Sequence, residues 1–343
     1  MIKYLWHEIK KNLSAILIIT GLCTLLYTIT VSTMEMSNTY TYENWQGQLI
    51  TNTNIYEPAF SLISTALLIL CYLVPTLVFS FKMDKRAVDC YYALPLKKEK
   101  LYLAKTLLGL VMIIVPFTVA YWIGFLALSL REGNPYNMGY YVPAYFGMLL
   151  FAILLFGYNS FFFTRANKAQ DGIAFMLCYA GIIAYVLLCV CGVFEIELTG
   201  ELSNFILTLA SPAGMIWFDI NMGNLITGST PFSGITWTPW MFIMPIIMGI
   251  AGYFGLFFGV RFEKAENAEQ VSDSWFGYKT LIPLIVALGI GLIGAALSIL
   301  VFAIIAVGSI VATVMYKRTF KLELWDWIRI GIGLFAGVIL ALI

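Results

Sequence analysis

The chain has 343 residues and a net charge of +1, and 61% of its residues are hydrophobic while 11% are charged. Soluble domains are about 25% charged, and the mean hydropathy of this chain is +0.87, so the composition excludes a soluble fold. Uncharged apolar stretches recur along the sequence and predict an all-α, polytopic helical membrane protein.

Residues 1–12 are predicted to form a helix that lies in the membrane interface. Its apolar residues share one helical face; they are Ile2, Leu5, Trp6 and Ile9. The apolar run that follows has 19 residues and no small-residue cleavage site. We therefore interpret it as a first membrane span and not as a secretory signal.

Six uncharged runs are long enough to cross a bilayer core of about 30 Å, which requires roughly 20 helical residues. They are Leu13 to Val31, Pro58 to Phe81, Thr106 to Leu130, Val142 to Thr164, Gly172 to Phe194 and Pro239 to Val260. Together with the interfacial helix they form a predicted core of residues 1–260, which a cytoplasmic linker at 261–279 follows.

Residues 280–343 are predicted to add a membrane hairpin and a final span. The uncharged stretch from Thr280 to Tyr316 has 37 residues, which exceeds one span and suits a hairpin that turns near Gly294 to Ser298. The last run, Ile330 to Ile343, reaches spanning length only if Trp325 and Trp327 lie in the membrane interface and Arg329 extends its charged group toward it.

The basic residues predict the orientation. If the N-terminus is cytoplasmic, 19 of the 20 Lys and Arg residues fall in inner segments and only Arg131 falls outside. The outer segments then have a net charge of −7 and the inner segments a net charge of +8, as the positive-inside rule requires. We expect a multi-pass plasma-membrane protein that contacts membrane lipid and has a cytoplasmic N-terminus.

Two features of the spans and their outer connections leave alternatives open. The outer region at 195–238 contains an amphipathic pattern, which suits either pieces that re-enter the outer leaflet or helices that lie on it. This pattern consists of Leu202, Phe205, Ile206 and Leu209. Glycines recur in the sixth span at Gly249, Gly252, Gly255 and Gly259. They suit close helix packing within one bundle or a seam between two copies of the chain.

Several kinds of chemistry are missing from the sequence. It has no Gly-x-x-x-x-Gly-Lys-Ser/Thr motif, so we expect that the chain is not an ATP-hydrolysing enzyme and binds no cofactor itself. The six core spans have no ionisable residue in their interiors, which argues against a proton-driven carrier and an intramembrane protease. The only histidine, His7, is predicted to be interfacial, and the six cysteines predict no metal site. No nucleic-acid partner is expected.

The loop at residues 82–105, between the second and third spans, is not explained by topology alone. Its charge of +4 is usual for an inner loop, but apolar and aromatic residues stand between the charges: Val88, Tyr91, Tyr92, Leu94 and Leu96. This pattern favours a short helix that docks on a protein surface and ends before Pro95, with a second helix from Lys97 into the third span. Binding to the membrane surface is the competing interpretation.

The same loop resembles a known family. The run Lys85-Arg86-Ala87-Val88-Asp89, followed by Tyr91-Tyr92-Ala93-Leu94-Pro95-Leu96 and Lys98-Glu99-Lys100-Leu101, resembles the coupling-loop signature of ABC-2 type transporter permeases, in the branch common in Gram-positive bacteria. The run Arg261-Phe262-Glu263-Lys264-Ala265-Glu266-Asn267-Ala268 is similar to a stretch after the sixth span in that branch. The chain departs from the pattern at Cys90, where a larger aliphatic residue is usual, and at Glu269, where Gly is expected.

The resemblance implies the permease subunit of an ABC exporter. A separate ABC ATP-binding subunit would bind and hydrolyse ATP, and a second permease subunit, identical or different, would complete the pathway. The residues implied to contact the ATP-binding subunit lie in the large loop and in the short loop after the fourth span: Asp84, Lys85, Arg86, Val88, Asp89, Tyr91, Tyr92, Leu94, Pro95, Glu99, Arg165 and Lys168.

The composition favours one class of transported substrate, and two alternative functions remain open. Aromatic residues make up 16% of the chain and the spans lack charge, which favours an amphipathic or hydrophobic substrate. A non-transporting membrane sensor or assembly scaffold would use the same loops to bind a different enzyme. An ion-coupled secondary transporter is the remaining alternative, although it lacks the charged groups in the spans that such carriers use.

Overall fold

The computed structural model describes residues 2–33, 37–43, 49–55, 58–130, 138–193, 206, 212–214, 216, 242–263, 265–272, 274–293 and 298–342. The helices in these residues are α1 (Ile2–Lys11), α2 (Leu13–Thr33), α3 (Pro58–Phe79), α4 (Lys85–Tyr92), α5 (Lys98–Ser129), α6 (Met138–Thr164), α7 (Ala169–Val193), α8 (Ile243–Gly259), α9 (Tyr278–Ile293), α10 (Ile299–Lys317) and α11 (Leu324–Leu342). Two strands, β1 (Ser37–Glu43) and β2 (Leu49–Ile55), pair between α2 and α3.

Eight helices within the described residues are long and apolar enough to cross a membrane. They correspond to α2, α3, α5, α6, α7, α8, α10 and α11, and α9 is a shorter apolar helix. The prediction of a polytopic helical membrane protein is therefore confirmed, and each of the six predicted core spans coincides with one of these helices. Helix α5 begins at Lys98 and continues into the third span without a break, as predicted.

The hairpin of β1 and β2 adds two strands to a chain predicted to be all helical. The strands are antiparallel, with Ser37 opposite Ile55 and Glu43 opposite Leu49. Their Thr, Tyr and Ile residues favour extended backbone. Because most of the residues in both strands are polar, they lack the alternating apolar pattern by which strands are predicted.

Helices α9, α10 and α11 pack together at the C-terminal end of the chain. Helices α9 and α10 are the two arms of the predicted hairpin. Of the predicted turn, residues 294–297 lie outside the described residues. Ser298 caps α10, because its hydroxyl oxygen accepts a hydrogen bond from the main-chain N–H of Val301 at 3.3 Å.

The last helix begins earlier than the predicted run, at Leu324. The side chain of Asp326 in its first turn is buried, and it lies 2.5 Å from the ammonium group of Lys317 at the end of α10. It also accepts a hydrogen bond from the main-chain N–H of Glu323 at 2.9 Å. An acidic residue in the first turn of a helix is favourable, so the charged residues that interrupt the apolar pattern belong to the helix.

The glycines of α8 face α6 within the same chain. A Cβ atom at Gly252 would lie 2.7 Å from the Cα atom of Tyr158, and one at Gly249 would lie 2.5 Å from the Cβ atom of Leu154. Such distances leave no room for a side chain, so the two helices approach closely because residue 252 is glycine. Of the two interpretations of these glycines, packing within one bundle is the one that the structure shows.

Most of the outer region predicted at 195–238 lies outside the described residues, including Leu202, Phe205 and Leu209 of the predicted amphipathic face. Among its described residues, Ile206 and Ile216 are buried. Ile216 belongs to the main hydrophobic core, which is formed largely by α3, α5 and α6. Part of this outer region therefore packs against the helix bundle.

Candidate partner-binding surface at the basic end of the bundle

Helix α4 lies at the end of the bundle that also carries α1, the connection from α6 to α7 and residues 260–263, 265–272 and 274–277. We call this end the basic end. The carboxylate of Asp84 caps α4 by accepting a hydrogen bond from the main-chain N–H of Arg86 at 2.9 Å. The helix ends at Tyr92, before Pro95, as the sequence predicts.

The inner face of α4 packs against its own chain. Val88 is 2% exposed. The ring of Tyr91 lies 4.8 Å from the ring of Phe81, and the ammonium group of Lys105 lies 4.4 Å from the centre of the same tyrosine ring. These contacts attach α4 to the end of α3 and to α5.

The outer face of α4 is exposed. Three of its residues lie at helical spacing and are exposed: Arg86, Asp89 and Cys90. Ala93, which follows the helix, is exposed as well. The predicted contact residues are therefore divided between two faces. Arg86 and Asp89 are accessible to a partner, whereas Val88 and Tyr91 hold the helix to the protein.

Three further predicted residues lie at the two ends of α4 or just after it: Lys85, Tyr92 and Leu94. Lys85 is exposed and its ammonium group lies 3.6 Å from a carboxylate oxygen of Glu269. Tyr92 and Leu94 are half-buried, and the ammonium group of Lys98 lies 4.7 Å from the ring centre of Tyr92.

Two more of the predicted residues are exposed at the same end. Pro95 is exposed. Glu99 is also exposed, and it accepts a hydrogen bond from Arg261 at 2.9 Å. The loop thus offers both charges and apolar atoms to a partner.

Glu263, which follows α8, is the centre of a buried ionic cluster. Its carboxylate lies 2.8 Å from the Lys82 ammonium group and 3.3 Å from the Arg165 guanidinium group, and the three side chains are 8%, 10% and 15% exposed. The hydroxyl of Tyr102 donates to the same carboxylate, and Lys82 also donates to the main-chain oxygen of Thr164. Because buried charges are stable only when they are paired, this cluster joins the ends of α3, α5, α6 and α8.

Arg165 was predicted to contact a partner, and the structure places it half-buried in this cluster. Lys168, the other predicted residue of the short loop, is half-buried. Sequence reasoning did not identify Glu263 as a site residue. The signal that could have identified Glu263 is its position as an acidic residue between the basic residues that follow the sixth span.

A second buried ion pair joins α1 to α5. The ammonium group of Lys105 lies 2.9 Å from the carboxylate of Glu8, and both side chains are almost fully buried. The Tyr4 hydroxyl donates to Glu8 at 2.8 Å, and Lys105 also donates to the Tyr91 hydroxyl at 3.3 Å. Burial raises the pKa of Glu8, but the hydrogen bond and positive charge of Lys105 outweigh this effect, and the net pKa lies below its ordinary value.

Residues 265–272 cross the connection between α6 and α7. The main-chain N–H of Glu269 donates to the oxygen of Asn167 at 3.0 Å, and the Ser272 hydroxyl donates to the oxygen of Arg165 at 2.6 Å. Glu269 has a φ of 62°, a conformation that favours glycine. The position where the family resemblance calls for Gly is therefore one where the backbone is left-handed.

Two clefts open near the basic end. One, of about 840 Å³, is lined by Glu8, Tyr91, Lys105 and the start of α7, so it separates α1 from α4. The other, of about 740 Å³, lies between α7, α9 and α10.

Within the described part of the chain, no group of three His, Cys, Asp or Glu side chains could hold a metal ion, and His7 is exposed.

Comparisons with models of protein families, with curated proteins and with solved structures found no match to this chain. The arrangement at the basic end can bind a partner through exposed residues and can transmit a displacement through buried ones.

Proposed function

We propose that the chain is the membrane-spanning permease subunit of an ABC exporter, which moves an amphipathic or hydrophobic substrate. A separate ATP-binding subunit would supply the energy, and a second permease subunit would complete the pathway. The observation that carries the proposal is the division of α4 into an anchored inner face and an exposed outer face. A helix of this kind can receive a partner and pass its movement to the spans.

The anchoring contacts support this mechanical role. Tyr91 rests on Phe81 and Lys105, so a partner that displaces α4 would move the ends of α3 and α5 together. The Glu263 cluster connects those ends to α6 and α8. Movement of packed helices as rigid bodies is a common form of conformational change in proteins.

The cleft beside α4 provides space for such a displacement. It has a volume of about 840 Å³ and lies between α1 and α4. The ion pair of Glu8 and Lys105 lines it, so α1 would follow α5 when a displaced α4 moves the ends of α3 and α5. The spans would then change their tilt without a change in their own packing.

Cross-linking at Cys90 tests the proposal directly. Cys90 is the exposed one of the six cysteines, and it lies at the centre of the outer face of α4. A bifunctional thiol reagent applied to membranes from the native host should join it to a protein that carries a phosphate-binding motif and hydrolyses ATP. The variant Cys90→Ser should form no such product.

Two results would contradict the proposal. One is cross-linking of Cys90 to a kinase or another enzyme without an ATP-binding cassette, which would favour a sensor or scaffold. The other is ATP hydrolysis by the purified chain alone, because the sequence has no phosphate-binding motif. In the expected outcome, hydrolysis occurs only when the cross-linked partner is present.

A further inference from the structure

The cleft between α7, α9 and α10 has an apolar body and a charged mouth. Its apolar walls are formed by Ala174, Cys178, Leu281, Ile282, Ile285, Val286, Gly289, Ile305, Gly308, Ala312 and Met315. Polar residues gather at the basic end of the bundle, among them Lys168, Asp171 and Arg318. Its volume of about 740 Å³ lies within the range of about 300 to 1,000 Å³ that is usual for ligand sites.

The depth of the cleft matches one leaflet of a membrane. On α9 its lining runs from Tyr278 to Gly289, and on α10 from Ile305 to Tyr316. At about 1.5 Å per residue these stretches are roughly 15 to 17 Å long, half of a hydrocarbon core of about 30 Å. An acyl chain that entered from the leaflet at the basic end would be covered along its length.

The mouth lies at the level expected for lipid headgroups. Tyr278 and Tyr316 line it with their rings 5.1 Å apart, and tyrosines are enriched where a membrane meets water. Their hydroxyls already donate hydrogen bonds, Tyr278 to Asp171 at 3.0 Å and Tyr316 to the oxygen of Ser272 at 2.6 Å. The donor hydrogens of both tyrosine hydroxyls are therefore already used, and the cations at the mouth are the groups that can bind a ligand.

The charges at the mouth favour an anion. Lys168 and Arg318 form no ion pair with any carboxylate of the described residues. Asp171, the carboxylate that shares the mouth, accepts the hydrogen bond of Tyr278. Two cations thus stand beside one carboxylate, and both types of basic side chain bind phosphate groups.

Open space inside the cleft shows where an acyl chain would fit. A Cβ atom at Gly289 or Gly308 would meet nothing within 4 Å, whereas one at Gly337 would lie 2.8 Å from Ile290. The glycines that line the cleft are therefore not used for packing of helix against helix. Ile285 and Met315 are exposed, so the cleft is open to its surroundings.

We propose that this cleft binds one anionic phospholipid from the leaflet at the basic end, with an acyl chain between α7, α9 and α10 and the phosphate at Lys168 and Arg318. The proposal does not depend on the proposed transport function. The lipid would fill the space between the core helices and the C-terminal hairpin and hold the two groups together.

Native mass spectrometry of the full chain with defined lipids tests the proposal. The purified protein is incubated in detergent with phosphatidylglycerol or with phosphatidylcholine that carries the same acyl chains. One phosphatidylglycerol should remain bound per chain, and phosphatidylcholine should be retained at least several-fold less. The variant Gly308→Leu should lose the bound lipid, because its side chain would occupy the cleft.

Two matched variants control for general effects. Gly331→Leu changes an exposed glycine of α11 that also faces open space and does not line the cleft, so it should retain the lipid. The double variant Lys168→Gln and Arg318→Gln should reduce phosphatidylglycerol retention by about tenfold or more. The variant Lys97→Gln, which removes an exposed basic residue elsewhere at the same end, should not.

Specific results would overturn the proposal. Equal retention of the two lipids would show that the headgroup is not recognised. Unchanged retention in Gly308→Leu would show that the lipid binds elsewhere, and a lipid-free dimer would show that a second copy covers the cleft. If Gly308→Leu does not fold, the double variant decides the question. Phosphatidylglycerol retention equal to that of Lys97→Gln would show that Lys168 and Arg318 do not bind the phosphate.

Discussion

The carboxylate of Glu263 lies 2.8 Å from the ammonium group of Lys82, although the two residues are 181 positions apart in the sequence. Glu263 follows the sixth core span and Lys82 ends the second. Arg165, at the end of the fourth span, joins the same carboxylate. A single acidic side chain therefore pairs with two buried cations and joins the ends of three spans.

Replacement of this acid should destabilise the protein strongly. In Glu263→Gln, Lys82 and Arg165 would remain buried without a negative partner, which costs about 3 to 5 kcal/mol. We expect a large fall in the thermal unfolding midpoint of the purified chain in detergent. Glu266→Gln, which changes an exposed acid in the same segment, should leave the midpoint nearly unchanged, and equal midpoints for the two variants would contradict the structural role of Glu263.

The ion pair of Glu8 and Lys105 should make stability depend on pH in the acidic range. The pKa of Glu8 lies below its ordinary value, so the carboxylate favours the folded state above the unfolded pKa of about 4.3. This contribution is lost as the pH falls through the lowered pKa of the folded state. The difference in unfolding midpoint between the native chain and Glu8→Gln should be present at pH 7 and should shrink below about pH 4. A difference that grew on acidification would contradict the pairing.

Glycine should be tolerated better than alanine at position 269. The left-handed backbone of Glu269, with φ of 62°, costs a residue with a side chain roughly 1 to 2 kcal/mol. The exposed ion pair with Lys85 stabilises the folded state by about 0 to 1 kcal/mol. Unfolding measurements should therefore find Glu269→Gly more stable than Glu269→Ala by about 1 kcal/mol. The reverse order would mean that the backbone there is not left-handed.

The two ends of the bundle should be accessible from opposite sides of the membrane. Thr41 is exposed in β1, in a segment predicted to lie outside, and Cys90 is exposed in α4, in a segment predicted to lie inside. With the other cysteines replaced, Thr41→Cys should react with an impermeant thiol reagent in intact cells. Cys90 should react only after lysis. Labelling of Cys90 in intact cells would reverse the predicted orientation.

The two faces of α4 should respond differently to substitution. Tyr91→Ala removes packing against Phe81 and Lys105, so it should lower the stability of the chain itself by about 1 to 3 kcal/mol. Cys90→Arg alters the exposed face, so it should leave the unfolding midpoint unchanged and weaken capture of the proposed ATP-binding subunit by about tenfold. Loss of capture without loss of stability in Tyr91→Ala would contradict this assignment of faces.

Local signals in the sequence explain why parts of this structure could be predicted. The membrane spans are readable because the thickness of a bilayer sets the length of an uncharged helix. Helix α4 is readable because apolar and aromatic residues stand between its charges and Pro95 prevents its continuation. The hairpin of β1 and β2 lacks such signals, because most residues in its strands are polar and neither strand has the alternating apolar pattern by which strands are predicted.

The amino-acid sequence by itself determined the helical membrane class, the positions of the spans and the presence of a helix in the loop at 82–105. Only the tertiary structure decided which face of that helix is exposed, that Tyr91 packs inward and that the glycines of α8 serve contacts with α6. It alone revealed the pairing of Lys82 with Glu263. The physical reason is distance along the chain: propensity, capping and hydropathy act within a few residues, whereas a buried ion pair depends on groups that folding brings together from separate spans.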